Sequence, residues 1–232
     1  MSNPLRLVTK ADQLIEAKPQ STRTRDRLAG LAPKQPIEVV SHLLVRTERL
    51  ALRPLVETDR DEFVRVLFAS REHLRGKVPI FADPNESPAD AFERQLERTR
   101  IGDQRGTAWR RVAATPKGKI VGVVMLRNIE RGLQSQAEIT TWVAADAARQ
   151  GFGSEILDAT LRFAFLDLPI GLGMHRITGA LRPDNTASRA LFTSLGFEHT
   201  PDDPERLEID GEWIEHRRIA VNASAYDVRD AG

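Results

Sequence analysis

The chain contains no cysteine among its 232 residues. A disulfide framework, a thiolate nucleophile and a zinc site built from cysteines are therefore excluded. No apolar run reaches the roughly 20 residues that span a bilayer, and the first residues lack a signal-peptide core. The formal net charge is only +1, so the chain lacks the strong positive charge that would indicate a nucleic-acid partner. We therefore expect a cytoplasmic protein that needs neither a membrane nor nucleic acid.

The composition divides the chain into a domain and two flanking segments. Apolar residues make up 41% of the sequence, which is enough to build a core. Residues 1–36 hold seven Lys or Arg against three Asp or Glu, and prolines interrupt them. We predict a flexible leader over 1–44 with one short helix near 23–31, a domain over 45–222 and a C-terminal tail over 223–232. The leader is either a solvated segment or a basic arm that touches RNA or an acidic partner.

Hydrophobic periodicity beyond residue 47 predicts alternating strands and helices. A strand is followed by two helices, the first capped by Thr58 and the second by Ser87. Three strands, a glycine-led helix, a strand, a short helix and a terminal strand pair turning at Asp210-Gly211 follow. This order indicates an α/β (α+β) domain around one central mixed sheet flanked by helices.

The stretch "AARQGFGSEILDATLRFAF" places Gly151 and Gly153 directly before a helical pattern. The first amides of a helix have no partner within the helix, and the helix dipole makes that end partly positive. Glycines allow a phosphate to approach those amides closely. The Rossmann and P-loop spacings are absent. From the residues alone, structural turn glycines and a phosphate site are equally good interpretations.

A resemblance separates these two interpretations. "RQGFGSE" after "AEITTWVAADAA" resembles the acetyl-CoA pyrophosphate loop of the GNAT N-acetyltransferase superfamily, and "HRITGALRPDNTASRALFTSLGFE" resembles its next strand and helix. "LRNIERGLQSQAEI" and "LEIDGEWIEHRRIAV" resemble segments of the ribosomal-protein-alanine N-acetyltransferases. The resemblance covers about 47–221. It implies a GNAT fold with a mostly antiparallel sheet, and acetyl transfer from acetyl-CoA to a primary amine, with a protein N-terminal α-amine as the expected acceptor.

The resemblance also assigns roles to individual residues. The expected general base is Glu138, which accepts the amine proton directly or through water, or else a water chain. Ser188 is the expected acid for the leaving thiolate. Asn185 is expected to bind the pantetheine arm or to hold the turn between strand and helix. The remaining cofactor-binding residues lie on the third central strand, through their backbone, and on the glycine loop: Thr141, Trp142, Val143, Arg149, Gln150, Gly151, Phe152, Gly153 and Ser154.

Two positions depart from the superfamily pattern. Ala148 stands where a Gln or Arg donor is usual, so Arg149 is a possible substitute. Phe192 stands where many members carry a tyrosine acid, and a phenyl ring has no proton to donate.

Two other functions remain open: acetylation of a small amine, such as an amino sugar, amino acid or polyamine, and a non-catalytic acyl-CoA-binding module. The five histidines show no metal-ligand spacing, so no metal is expected. Either a monomer or a homodimer is compatible with the sequence.

Overall fold

A computed structural model describes residues 37–41, 43–78, 80–81, 85–202, 204–209 and 211–230. The strands are Glu38–Ser41 (β1), Leu44–Arg46 (β2), Ala51–Arg53 (β3), Trp109–Ala114 (β4), Ile120–Glu130 (β5), Gln136–Val143 (β6), Arg176–Leu181 (β7), Glu198–His199 (β8), Glu205–Ile209 (β9) and Glu212–Asn222 (β10). The α-helices are Arg60–Leu74 (α1), Pro88–Arg105 (α2), Phe152–Phe165 (α3), Thr186–Ser194 (α4) and Ala223–Asp230 (α5). None of the helices in these ranges combines the length and the hydropathy that a membrane span requires.

The strands form one sheet in the order β1-β2-β3-β4-β5-β6-β7-β10-β8, with β9 paired to β10. Every pairing is antiparallel except that of β6 with β7. The parallel pair is joined by α3, as a crossover between parallel strands requires. The predicted central mixed, mostly antiparallel sheet with flanking helices is confirmed.

The helices cover both faces of this sheet. On one face α3 packs with Phe163 stacked on Trp109, with ring centroids 5.0 Å apart. On the other face Phe63 of α1 meets Trp142 of β6 edge-on at 6.3 Å. Side chains alternate between faces along a strand. Arg110, which follows Trp109, therefore points away from α3 and toward the side of α1 and α2.

The helix starts follow their capping residues, with one correction. The Ser87 hydroxyl accepts from the Asp90 amide at 3.1 Å, so the predicted cap of α2 is confirmed. The predicted cap at Thr58 is wrong. A 3-10 turn over Glu57–Asp59 precedes α1, and Asp59 is the residue at its N-cap position. The Asp59 carboxylate binds both terminal nitrogens of Arg53 at 2.7 Å, which fixes the entry to the helix.

The sheet begins earlier than the sequence predicted. Residues 1–36, including the predicted helix at 23–31, lie outside the described range. β1 and β2, however, pair within residues 38–46, so the end of the expected flexible leader forms the sheet edge instead. The reason is pairing: β2 binds β3, and Val45 of β2 is fully buried. The expected C-terminal tail forms α5, where Tyr226 is 1% exposed and packs against Phe165.

β6 and β7 separate part-way along their length. Their parallel register pairs Gln136, Ala137 and Glu138 of β6 with Arg176, Ile177 and Thr178 of β7. β6 continues to Val143 without further pairing to β7. The backbone edge of residues 139–143 is therefore directed toward a gap between two central strands, where unsatisfied amides and carbonyls can bind a ligand.

Candidate active site

The glycine loop closes the gap between β6 and β7 at the start of α3. Gly151 is the N-cap of α3 and has a φ of +80°, which a residue with a Cβ adopts at a cost. The first bond into the helix runs from the Glu155 amide to the Gly151 carbonyl at 3.2 Å. Helix geometry leaves the preceding amides, those of Phe152, Gly153 and Ser154, without partners in the helix. The loop is thus a backbone cradle of the kind that binds phosphate.

Gly153 joins three of the predicted segments. A Cβ at this position would lie 3.5 Å from the Val143 side chain of β6 and 3.2 Å from the Leu191 side chain of α4. The glycine loop, the end of β6 and α4 therefore meet at one point. This is the arrangement that a single extended ligand needs to contact all three.

Arg149 and Gln150, which precede Gly151 in the loop, are both exposed. Arg149 has a φ of +61°, a left-handed conformation that is uncommon for a residue with a side chain. The Gln150 amide donates to the Asp146 carbonyl at 2.9 Å, which braces the loop. The side chain of Arg149 can therefore turn toward a bound phosphate. It can replace the superfamily's side-chain donor, whose position is occupied here by Ala148.

Arg49, a residue that was not among those predicted from the sequence, binds the glycine loop from the turn before β3. Its guanidinium donates to Glu155 Oε2 at 2.7 Å and to the Gln150 carbonyl at 3.1 Å, and lies 4.5 Å over the Phe152 ring. Glu155 is 8% exposed and also accepts from the Thr47 hydroxyl at 2.5 Å. A buried carboxylate at the start of α3 would repel phosphate, and Arg49 neutralises it. No local motif signals this pair, because its members lie 106 residues apart.

The three predicted residues on β6 differ in how they can act. Trp142 is 7% exposed and its ring is part of the core, so only its backbone faces the gap. The Thr141 hydroxyl donates to the Val123 carbonyl at 2.9 Å. Val143 packs on the glycine loop. A contribution of this strand through its backbone, rather than its side chains, stays a prediction.

α4 carries the predicted Asn185 and Ser188. Asn185 is the N-cap, and its side-chain oxygen accepts from the Ser188 amide at 3.1 Å. The Ser188 side chain is half-buried. Phe192, at the position of the usual tyrosine, is 5% exposed and packs edge-on against Phe197 at 4.9 Å. Asn185 therefore holds the turn between β7 and α4, and Phe192 belongs to the core.

Glu138 lies on the sheet face opposite α3, at the last β6 position that pairs with β7. Its carboxylate forms an ion pair with Arg127, its cross-strand neighbour on β5, and accepts from the Asn128 side chain at 3.3 Å. Val143 is five residues further on, about 16 Å along the strand. Glu138 is thus far from the glycine loop, near the opposite end of the gap between the strands.

A cavity of about 530 Å³ opens on the face of the sheet that carries Glu138's partner Arg127. Its lining is partly apolar and includes Phe63, Val112 and Trp142. The polar part of the lining consists mainly of arginines of α2, β4 and β5: Arg94, Arg98, Arg110 and Arg127. Thr140 and Trp142 of β6 belong to the wall of the cavity, which therefore adjoins the unpaired part of that strand. No local sequence pattern marks this cavity, because its residues come from elements that are distant along the chain.

The segments that form this site lie within a region that matches a known protein family. Residues 49–198 match the model of the acetyltransferase (GNAT) domain. The chain belongs to the GNAT acetyltransferase family. The predicted family and the predicted class of enzyme, an N-acetyltransferase, are both confirmed.

The most similar proteins include enzymes with two kinds of acceptor. The chain is 25% identical over 183 residues to the [ribosomal protein uS5]-alanine N-acetyltransferase of Escherichia coli, covering 78% of this chain and 92% of that enzyme. RimJ of Mycobacterium smegmatis, solved with CoA-disulfide, superposes with a TM-score of 0.67 at 23% identity over 84% of this chain and 87% of that one. A Vibrio cholerae spermidine N-acetyltransferase, solved with CoA and spermine, superposes with a TM-score of 0.60 at 21% identity over 77% and 98%.

Proposed function

We propose that this acetyltransferase moves the acetyl group of acetyl-CoA to the N-terminal α-amine of a protein, with a ribosomal protein as the model acceptor. The similarity to the uS5-alanine acetyltransferase, which extends over 92% of that enzyme, carries this proposal. The backbone cradle at Gly151 is suited to a pyrophosphate. Its shape depends on the positive φ of Gly151 and on the absence of a Cβ there. Phosphate contacts are assigned to the amides of Phe152, Gly153 and Ser154 and to the side chains of Arg49 and Arg149.

The gap between β6 and β7 is assigned to the pantetheine arm. The unpaired backbone of Thr141, Trp142 and Val143 supplies donors and acceptors along one side. A backbone amide of this segment can also donate to the thioester oxygen as negative charge develops there. The amine nitrogen attacks the carbonyl carbon, the carbon–sulfur bond breaks, and the departing thiolate takes a proton.

Proton transfer requires two groups, which we assign to Glu138 and Ser188. An α-amine has an ordinary pKa of about 7.7–8.0, so near neutral pH a weak base reached through water is sufficient to remove its proton. Glu138 lies on the cavity side of the sheet, where the amine would enter. Ser188 lies on the first turn of α4, which packs on the glycine loop through Leu191. Phe192 cannot serve as the acid, because it has no ionisable proton and is buried.

Acetylation of a small amine is the second candidate, because the fold is shared with a spermidine acetyltransferase. A polyamine needs carboxylates around its ammonium groups, whereas arginines dominate the polar part of the cavity beside β6. A non-catalytic acyl-CoA-binding module is the third candidate, and Ala148 and Phe192 are the residues that favour it.

One assay separates the three candidates. The protein is incubated with acetyl-CoA and peptides that begin with Ala, Ser or Met, and in parallel with spermidine, glucosamine and free alanine. CoA release is followed with a thiol reagent, and the products by mass spectrometry. Acetylation of the peptide α-amine above the small amines supports the proposal. Turnover of spermidine or glucosamine alone contradicts it, and tight acetyl-CoA binding with no turnover supports the non-catalytic module.

A further inference from the structure

We infer that the cavity beside β6 binds an anionic group of the acceptor, so that the preferred substrate is a peptide N-terminus with an acidic side chain in its first residues. This inference rests on the proposed function and specifies the substrate class of the same site. Its basis is the set of guanidinium groups that line the polar part of the cavity.

The arginines come from three elements that converge on one space. Arg94 and Arg98 stand one turn apart on α2, and Arg110 and Arg127 project from β4 and β5 on the sheet face opposite α3. Two of the four have carboxylate partners. Arg94 binds Glu86 at 2.6 Å and Arg127 binds Glu138.

Among the residues that the structure describes, the other two arginines have no such partner. Within the described part of the chain, neither Arg98 nor Arg110 forms an ion pair or a hydrogen bond through its side chain. The Nε atoms of Arg110 and Arg127 are buried and lack an acceptor. Among the described residues of the cavity wall, Glu208 of β9 is the one carboxylate, and it is exposed. The same wall holds five arginines when Arg111 is included, and three of these are paired with carboxylates.

The pKa of Arg110 is lowered to about 10, mainly by burial and in addition by repulsion from Arg98, Arg127 and Arg94. At neutral pH its guanidinium therefore still carries a charge, in surroundings that disfavour that charge. A buried cation held beside other cations destabilises the free protein, and a bound carboxylate would relieve both the desolvation and the repulsion. Arg111 is different: its side chain is fully buried against Asp103 at 2.9 Å and serves the fold.

The distance from the reacting centre sets the position of the acidic residue. Arg110 is paired with Met125, and Met125 with Thr140, so two strand spacings, about 10 Å, separate Arg110 from β6. An extended peptide covers that distance in about three residues. With its amine at β6, the peptide can bring a carboxylate from its second or third residue to the guanidinium of Arg110.

The test compares peptides that start with alanine and differ only in residues two and three, which are Glu-Glu, Gln-Gln or Lys-Lys. A charge-assisted hydrogen bond is typically worth a factor of about 10–100 in kcat/KM. We expect the Glu-Glu peptide to exceed the Gln-Gln peptide by about that factor, with Lys-Lys lowest. In Arg110→Gln and Arg98→Gln the preference should fall to within about threefold, while the KM for acetyl-CoA stays unchanged.

The matched control is Arg100→Gln, which removes a cation from α2 that pairs with Glu57 outside the cavity. It should keep the full preference. The unfolding temperature of Arg110→Leu provides a readout independent of activity. Because the substitution removes an uncompensated charge, the unfolding temperature should rise by a few degrees. A fall in the unfolding temperature would identify Arg110 as a structural residue and overturn the inference.

Two further substrates separate this inference from the proposed function. If neutral or basic peptides are acetylated as well as acidic ones, the N-terminal activity stands and the anionic subsite is wrong. If no peptide reacts but phosphoethanolamine or aspartate does, with the same sensitivity to Arg110→Gln, the subsite stands and the protein acceptor is wrong. Spermidine as the sole acceptor would overturn both.

Discussion

At Gly151 the backbone adopts a φ of +80°, and an added Cβ would lie 3.4 Å from the Arg49 guanidinium. Gly151→Ala should therefore weaken acetyl-CoA binding, by about tenfold or more, because the cradle must change its conformation to relieve strain. Calorimetric titration measures the affinity. Gly118 is the matched control, since its φ is +81° with nothing within 4 Å of an added Cβ.

Gly118→Ala should lose about 1 kcal/mol of stability through the same backbone strain, with acetyl-CoA affinity unchanged. Equal loss of affinity in both variants would mean that the effect at Gly151 is a general consequence of strain. The assignment of the loop to the pyrophosphate would then be wrong.

The ion pair between Arg49 and Glu155 gives a second prediction for single residues. Arg49→Met leaves a buried carboxylate uncompensated, so stability should fall by about 1–3 kcal/mol and acetyl-CoA affinity should fall with it. Adding Glu155→Gln removes the stranded charge. The double variant should regain most of the stability in urea unfolding but not the affinity. Recovery of both properties would show that Arg49 only neutralises Glu155 and makes no contact with the cofactor.

Ser188 is expected to protonate the leaving thiolate. A general acid contributes roughly 10²–10⁴-fold, and a thiolate is already a fair leaving group, so the low end applies. Ser188→Ala should lower kcat by roughly 100-fold with little change in the KM for acetyl-CoA. Steady-state kinetics at pH 7 and pH 8.5 provide the check. Wild-type turnover at both pH values would assign the proton transfer to water.

At the scale of elements, α4 is held by its N-cap. The Asn185 oxygen accepts from the Ser188 amide, and Asn185→Ala should cost about 1 kcal/mol of stability. Asn185→Asp keeps an acceptor at that position but loses the amide donor. If the donor binds the pantetheine arm, the Asp variant should be as stable as wild type yet raise the KM for acetyl-CoA several-fold. If the KM for acetyl-CoA rises only in the destabilised Ala variant and is unchanged in the stable Asp variant, Asn185 acts only as the cap of α4.

The elements that the sequence predicted well are those with a long periodic pattern. β5 and β10 each have 11 residues and α2 has 18, so apolar periodicity and caps determine their identity. β1, β2 and β8 have only two to four residues, too few to show a period, and they form because neighbouring strands offer free backbone groups. The glycine loop was found because one local stretch carries it. Arg49 and the arginine cavity were missed because they depend on contacts between distant segments.

At the scale of the whole molecule, the first 46 residues divide into two parts with different expected roles. Residues 1–36 are rich in Lys and Arg and poor in large apolar side chains, so removing them should leave the domain intact. Deleting 1–46 also removes β1 and β2, and with them the buried Val45 and the Leu43 carbonyl that accepts from Arg111 at 3.0 Å.

The shorter deletion should keep kcat/KM for a ten-residue peptide within threefold of wild type and leave the unfolding temperature unchanged. The longer one should lose about 3 kcal/mol or more, since a buried valine and an acceptor for a buried guanidinium disappear together. For a chain of this size that corresponds to a fall of roughly 6–12 °C in the unfolding temperature, measured by calorimetry. A collapse of activity or solubility in the shorter deletion would show that the leader contributes to the folded domain, and equal stability of the two would contradict the assignment of β1 and β2 to the sheet.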